Sequence, residues 1–205
     1  YYPIVGRLLT PGSFGEVQTL ISLFLQLTIL LNVLSLVVVN LVANDKSGAA
    51  QRVVTELQLA ALWVAGLALV FTIIFSSQLK TLLQFSSSWP FILLSLAVIA
   101  ATPFTFQTAY LRGRERFAAT SIANLLVAAG KIVFSVALVL LGFGVSGAIG
   151  GLIAAQIVAL GYAFWQAQNG QVSDTVGALK KRWWPDMRIV IHELRYVGYA
   201  LIGSL

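Results

Sequence analysis

"TSIANLLVAAGKIVFSVALVLLGFG", Thr120 to Gly144, is a run of 25 residues with a single charge, Lys131. A helix of that length crosses about 30 Å of hydrocarbon at 1.5 Å per residue. Runs like it recur along the chain, which is 59% hydrophobic and 10% charged with a mean hydropathy of +0.90. Soluble domains are roughly 45–50% apolar. A water-soluble helical fold would need several helices apolar on every side. The expected fold class is therefore all-α, a polytopic transmembrane helical bundle. The sequence holds no cysteine, which excludes disulfides, thiolate metal sites and cysteine nucleophiles.

Breakers and apolar runs divide the chain into spans. Residues 1–9 read as the tail of a first span. The second covers 16–43, the third 57–79, the fourth 90–111, the fifth 117–141 and the sixth 145–167. A polar stretch at 168–188 follows, with Trp183 and Trp184 beside Lys180, Lys181 and Arg182. That pattern predicts a short helix lying on the inner membrane surface. A seventh span starts near Ile189. Pro103 falls inside the fourth span and is expected to kink it. The chain opens "YYPIVGRLLT" without methionine and closes "YVGYALIGSL" inside another apolar run. Both ends read as cuts in a longer, transporter-sized chain.

Basic residues orient the spans. The loops after the second, fourth and sixth spans and the entry to the seventh carry ten of the thirteen Lys and Arg residues: Lys46, Arg52, Arg112, Arg114, Arg116, Lys180, Lys181, Arg182, Arg188 and Arg195. The alternate loops hold only Arg7 and Lys80. The positive-inside rule then places the ten in the cytoplasm. The net charge of +6 is accounted for by topology, so no nucleic-acid partner is implied.

Wound at about 100° per residue, the fifth span gathers Thr120, Asn124, Lys131, Ser135 and Gly142 into a sector of about 60°. A lysine on a small, polar stripe is expected to face the bundle interior or a cavity, because intramembrane charges are expensive and line pathways. Roughly 20 Å of helix on either side argues against a side chain that reaches a headgroup. An ion pair with another helix is the structural alternative. The second span gathers Gln18, Ser22, Gln26, Thr28, Asn32, Ser35 and Asn40 on one half of its surface, as cavity lining or as interhelical hydrogen bonds. The sixth carries Gly147, Gly151, Ala155, Ala159 and Ala163 at four-residue spacing, a ridge for close packing.

An embedded enzyme needs catalytic groups at depth. The one histidine, His192, lies in "HELRY", and Tyr196 stands where a zinc protease needs its second histidine. The seven acids fall in loops or at span ends, so nothing deep suits an organic cation. What lies deep is positive, which suits an anionic substrate. No metal or cofactor is called for.

"RLLTPGSFGEVQTLISLF" (Arg7–Phe24) resembles the junction of the first two spans in polysaccharide-biosynthesis flippases, the oligosaccharide–lipid transporters of the multidrug/oligosaccharidyl-lipid/polysaccharide superfamily. The matching positions are Arg7, Leu9, Pro11, Phe14 and Gly15. "YLRGRERF" (110–117) resembles the cytoplasmic end of that family's fourth span, with Gly113, Arg116 and Phe117 in place. "GFGVSGAIGG" (142–151) resembles its turn between spans five and six, and "HELRYVGYALIGSL" (192–205) its entry to span seven. The resemblance implies two six-helix lobes around a central cavity. Residues 1–167 would be the N-terminal lobe, 168–188 a cytoplasmic linker with the interfacial helix, and 189–205 the start of the second lobe. It further implies alternating-access flipping of a polyprenyl-pyrophosphate-linked oligosaccharide across the bacterial inner membrane, with membrane lipids and the polysaccharide polymerase machinery as partners. The cavity residues expected are Lys131, Asn124, Ser135, Asn32, Gln26 and Arg7. Alternatives are a related ion-coupled exporter of small amphiphiles and, third, an enzyme of envelope synthesis.

Overall fold

The computed structural model describes residues 2–45 and 50–168, and every regular element in them is helical. The seventh span, the linker helix at Trp183–Trp184 and His192 lie outside the described residues. Four helical stretches are long and apolar enough to cross a membrane: Pro11–Ala43, Ala50–Leu82, Trp89–Gly113 and Phe117–Ala167.

A short helix α1 (Tyr2–Leu8) leads into α2 (Pro11–Ala43). Thr10 is extended (φ −66°, ψ 155°), and its hydroxyl accepts the Ser13 N–H at 3.4 Å, so it caps α2. Pro11 occupies the first turn, where no N–H is required. Across this bend the Phe14 ring lies under Gly6, 3.2 Å from where a β-carbon would stand.

Helices α3 (Ala50–Leu82) and α4 (Trp89–Gly113) follow. α2 and α3 each have 33 residues, about 50 Å of helix, which exceeds the hydrocarbon thickness. They start five to seven residues earlier than the apolar runs suggested. Hydropathy marks only the lipid-facing length, whereas backbone hydrogen bonding carries the helix on past it. α4 runs unbroken from Trp89 to Gly113 with Pro103 inside it.

The last stretch, 51 residues, would be about 77 Å long if straight. It is folded back instead. α5 (Phe117–Leu138) passes through a π-helical turn at Val139–Phe143 into α6 (Gly144–Gln168). Gly142 (φ 90°) and Gly144 (φ 52°) take backbone angles that a side chain would resist. Contacts down the pair are antiparallel. Leu138 meets Gly147, Ser135 meets Gly151, Gly130 meets Ala155, and the Arg116 guanidinium donates to the Gln166 carbonyl at 2.9 Å.

α4 is the central helix, packed on α2, α3 and α6. α2 and α3 scarcely touch although they are consecutive, and α3 is held mainly through α4. Ser95 of α4 donates to the Thr72 hydroxyl at 3.0 Å, and the Phe85 and Phe91 rings meet at 4.6 Å. α2 and α4 run parallel and are pinned at both ends. The Glu16 carboxylate accepts from the Ser86 N–H (2.8 Å) and hydroxyl (2.6 Å), and at the other end Gly113 lies against Val42. α1 rests on α2, α5 and the π turn.

Candidate functional site

The packed side of α2 carries Val17, Leu20, Phe24, Leu31, Ser35, Val38 and Val42, all buried. The opposite side exposes Gln18, Ser22, Gln26, Asn32 and Asn40, interleaved with Leu25, Ile29 and Leu36. From Gln18 to Asn40 is about 33 Å of helix, the full depth of a hydrocarbon layer. The hydroxyls on this helix are satisfied locally, Thr28 by the Phe24 and Leu25 carbonyls and Ser35 by the Asn32 carbonyl. Among the described residues the side-chain amides of Gln18, Gln26, Asn32 and Asn40 have no hydrogen-bond partner. Such groups facing lipid tails cost roughly 2–7 kcal/mol each. This face therefore suits water or polar protein.

The polar sector of α5 divides in two. Thr120 is 5% exposed and bonds the Arg116 carbonyl, while Ser135 is fully buried and donates to the Ala148 carbonyl at 2.9 Å. Ser135, expected to line a cavity, is instead committed to the contact with α6. A small hydroxyl lets the two backbones approach and caps a carbonyl of its neighbour. Asn124 is exposed and Lys131 half-buried. Both helices present ridges at four-residue spacing, Ala119, Ala123, Val127, Lys131, Ser135 and Val139 against Gly147, Gly151, Ala155, Ala159 and Ala163. All five α6 residues are buried, so the small-residue ridge read from the sequence is a packing surface. Lys131 stands on its counterpart.

Lys131 sits within α5 where the sequence placed it. It is 14 residues, about 21 Å, from the start of α5 and seven residues, about 10 Å, from its end. Helical backbone continues to Leu141, where the sequence placed the end of the span, and the first non-helical residue is Gly142.

Arg7 is exposed at the end of α1, where α1 touches both α2 and α5. α2 and α5 are not packed on each other; each meets α6. The structure thus brings Gln26 and Asn32 onto one polar face and Asn124 and Lys131 onto another, with Arg7 near the end that α1 bridges.

Two buried groups went unnoticed in the sequence. Glu56, placed in a loop by hydropathy, is in the second turn of α3 and 5% exposed, beside buried Thr55 and Gln58. The antiparallel register set by Ser95 and Thr72 puts this segment level with buried Ala109, Tyr110 and Leu111 of α4. Extending the helix past the apolar run would have found it. Gln156 of α6 is 4% exposed, and its Oε1 has no partner among the described residues. No periodicity signals that. Among the described residues no three His, Cys, Asp or Glu side chains gather as a metal centre would. Comparison with family models, curated proteins and solved structures finds no match.

Proposed function

We propose that the chain forms a lobe of a membrane transporter that flips a polyprenyl-pyrophosphate-linked oligosaccharide across the bacterial inner membrane by alternating access. The observation that carries this reading is the row of exposed amides on α2, interleaved with exposed Leu25, Ile29 and Leu36, which runs the depth of a span. A hydrated path along that face gives its amides the partners that lipid cannot. Lys131 and Arg7 supply positive charge for the pyrophosphate while the lipid tail stays in the bilayer. No bond is broken. α2 to α6 would be spans two to six of a six-helix lobe, with its partner lobe closing the cavity.

The test is flipping of a fluorescent polyprenyl-pyrophosphate oligosaccharide by the complete gene product in proteoliposomes. Gln26→Leu with Asn32→Leu changes two exposed positions, so the melting temperature should hold. Flipping should fall at least about tenfold, because a path that loses two hydrogen-bonding groups loses roughly 1 kcal/mol for each. Undiminished flipping would remove α2 from the path. A buried carboxylate, Glu56, is the observation that keeps the ion-coupled exporter of small amphiphiles as second reading. Export of such compounds without lipid flipping would select it.

Sidedness has its own test. Gly113 lies under Val42, where a β-carbon would come within 2.6 Å of the Val42 β-carbon, so no reporter can be placed there. Its neighbour Arg114 is exposed. A thiol at Arg114→Cys is expected to react with an impermeant reagent only after the inner membrane is opened, since the ten basic residues mark the cytoplasmic side. Labelling in intact spheroplasts would invert the topology.

A further inference from the structure

Pro103 stands inside α4 without an N–H, so the helical partner of the Ile99 carbonyl is missing. Around it, three threonines spend their hydroxyls on their own helix. Thr102 donates to the Val98 carbonyl (3.0 Å), Thr105 to Ala101 (2.9 Å) and Thr108 to Phe104 and Thr105 (both 3.0 Å). Back-bonding of this kind loosens and bends helices. Four weakening residues thus fall between Val98 and Thr108, within the helix that touches α2, α3 and α6.

Both arms of α4 lie along α2, and each carries a further tie of its own. The outer arm is fixed to α3 and the turn before it by Ser95–Thr72 and the Phe85–Phe91 rings. The inner arm is fixed to α2 where Gly113 meets Val42, and continues through Arg114–Arg116 into α5. Bending between the arms would carry the start of α5 relative to α3.

A second observation falls at the same level. Leu111 of α4 and Ala163 of α6 share one buried cluster with Ala119. α4 and α6 run in the same direction, so seven residues back along each lie Phe104 and Gln156. Gln156, 4% exposed and with an unpartnered Oε1, therefore stands level with Pro103. A buried acceptor without a donor is costly unless some state of the molecule uses it.

We propose that α4 bends between Val98 and Thr108 during the transport cycle, and that Gln156 accepts the hydrogen bonds which the bent segment releases. Backbone N–H groups and threonine hydroxyls freed from the ladder then find an acceptor at Oε1 that the continuous helix seen here leaves empty. This rests on the alternating-access reading above. It makes Gln156 a positioning residue, remote from any substrate contact.

The experiment is hydrogen exchange with mass-spectrometric readout on the complete gene product in nanodiscs, beside flipping in proteoliposomes. Pro103→Ala restores the missing donor and should slow exchange of peptides over 98–108 about tenfold, with a higher melting temperature and slower flipping. Gln156→Met keeps the volume and removes the acceptor. It should also slow exchange there and flipping, at an unchanged or higher melting temperature, whereas a merely structural glutamine would leave both rates alone. Peptides of α2 should exchange as in the wild type. Unchanged exchange over 98–108 in both variants overturns the bend, as does wild-type flipping in both. A wild-type protein that exchanges rapidly over 98–108, slows in the variants and yet flips no lipid-linked oligosaccharide leaves the bend standing and removes the transport reading.

Discussion

Gly151→Ala is expected to unfold at a markedly lower temperature than the wild type, and Gly151→Leu to fail to accumulate. A β-carbon at this position would sit 2.5 Å from the Ser135 Cα and Oγ and closer still to its backbone nitrogen. Backbone cannot rotate aside as a side-chain tip can, so α5 and α6 must separate. Separation costs the Ser135–Ala148 hydrogen bond and the Gly130–Ala155 contact together. Overpacking of a fitted interior costs about 1–3 kcal/mol, against about 1 kcal/mol gained from alanine's helix propensity. The steric term wins at Gly151. Gly161, on the same helix, has nothing within 4 Å of its β-carbon position. Gly161→Ala should therefore gain the propensity term alone and melt slightly higher. Detergent melting of the pair checks both signs, and a Gly151→Ala protein that melts at or above the wild type would show that the helices do not meet there.

Lys131 carries the largest expected effect on activity. Its half-buried position on the ridge facing α6 means that the side chain has two parts with different roles. A lysine so placed has an apolar stem that can lie along the helix and an ammonium that, in the proposed transporter, would meet the pyrophosphate. Lys131→Met keeps the stem and removes the charge. It should insert and melt as well as the wild type or better, since a charge at depth costs about 3 kcal/mol on insertion scales. Flipping should fall roughly 30–150-fold, the equivalent of one charge-assisted hydrogen bond worth about 2–3 kcal/mol. Lys131→Arg should retain much of the activity, and Lys131→Glu should be the least active because it repels the substrate. Surface-glycan complementation in a flippase-null strain, normalised to membrane protein level, reads the series. Full complementation by Lys131→Met would sink the substrate role. A drop in protein level instead, restored by neutralising an acid elsewhere, would identify a structural ion pair.

Legibility differed from helix to helix. The ridge of α6 could be read because small residues at every fourth position have few uses in a membrane other than close approach. The exposed stripe of α2 could be read because amides in an apolar run stand out whatever surrounds them. Ser135 and Lys131 could not be sorted by sequence, since both fall on one sector of α5. Which residue of such a sector is buried depends on where the partner helix crosses it. Glu56 was misplaced because hydropathy stops at the membrane boundary and the helix does not.

By itself, the sequence determined that the chain is helical with helices apolar and long enough to cross a membrane, where those of the described residues begin and end to within a turn or two, and which side of α2 carries amides. These follow from local causes: in hydrocarbon a backbone must satisfy its own hydrogen bonds, and the length of an apolar run sets how far it does so. Only the tertiary structure decided which helices are neighbours. It placed α4 at the centre, held α2 and α3 apart although they are consecutive, folded α5 onto α6 through Gly142 and Gly144, and spent Ser135 on packing while leaving the Gln156 Oε1 without a partner among the described residues. Those outcomes depend on distances between residues far apart in the chain, and in a bilayer they turn on steric fit, because lipid tails solvate leucine as well as a neighbouring helix does.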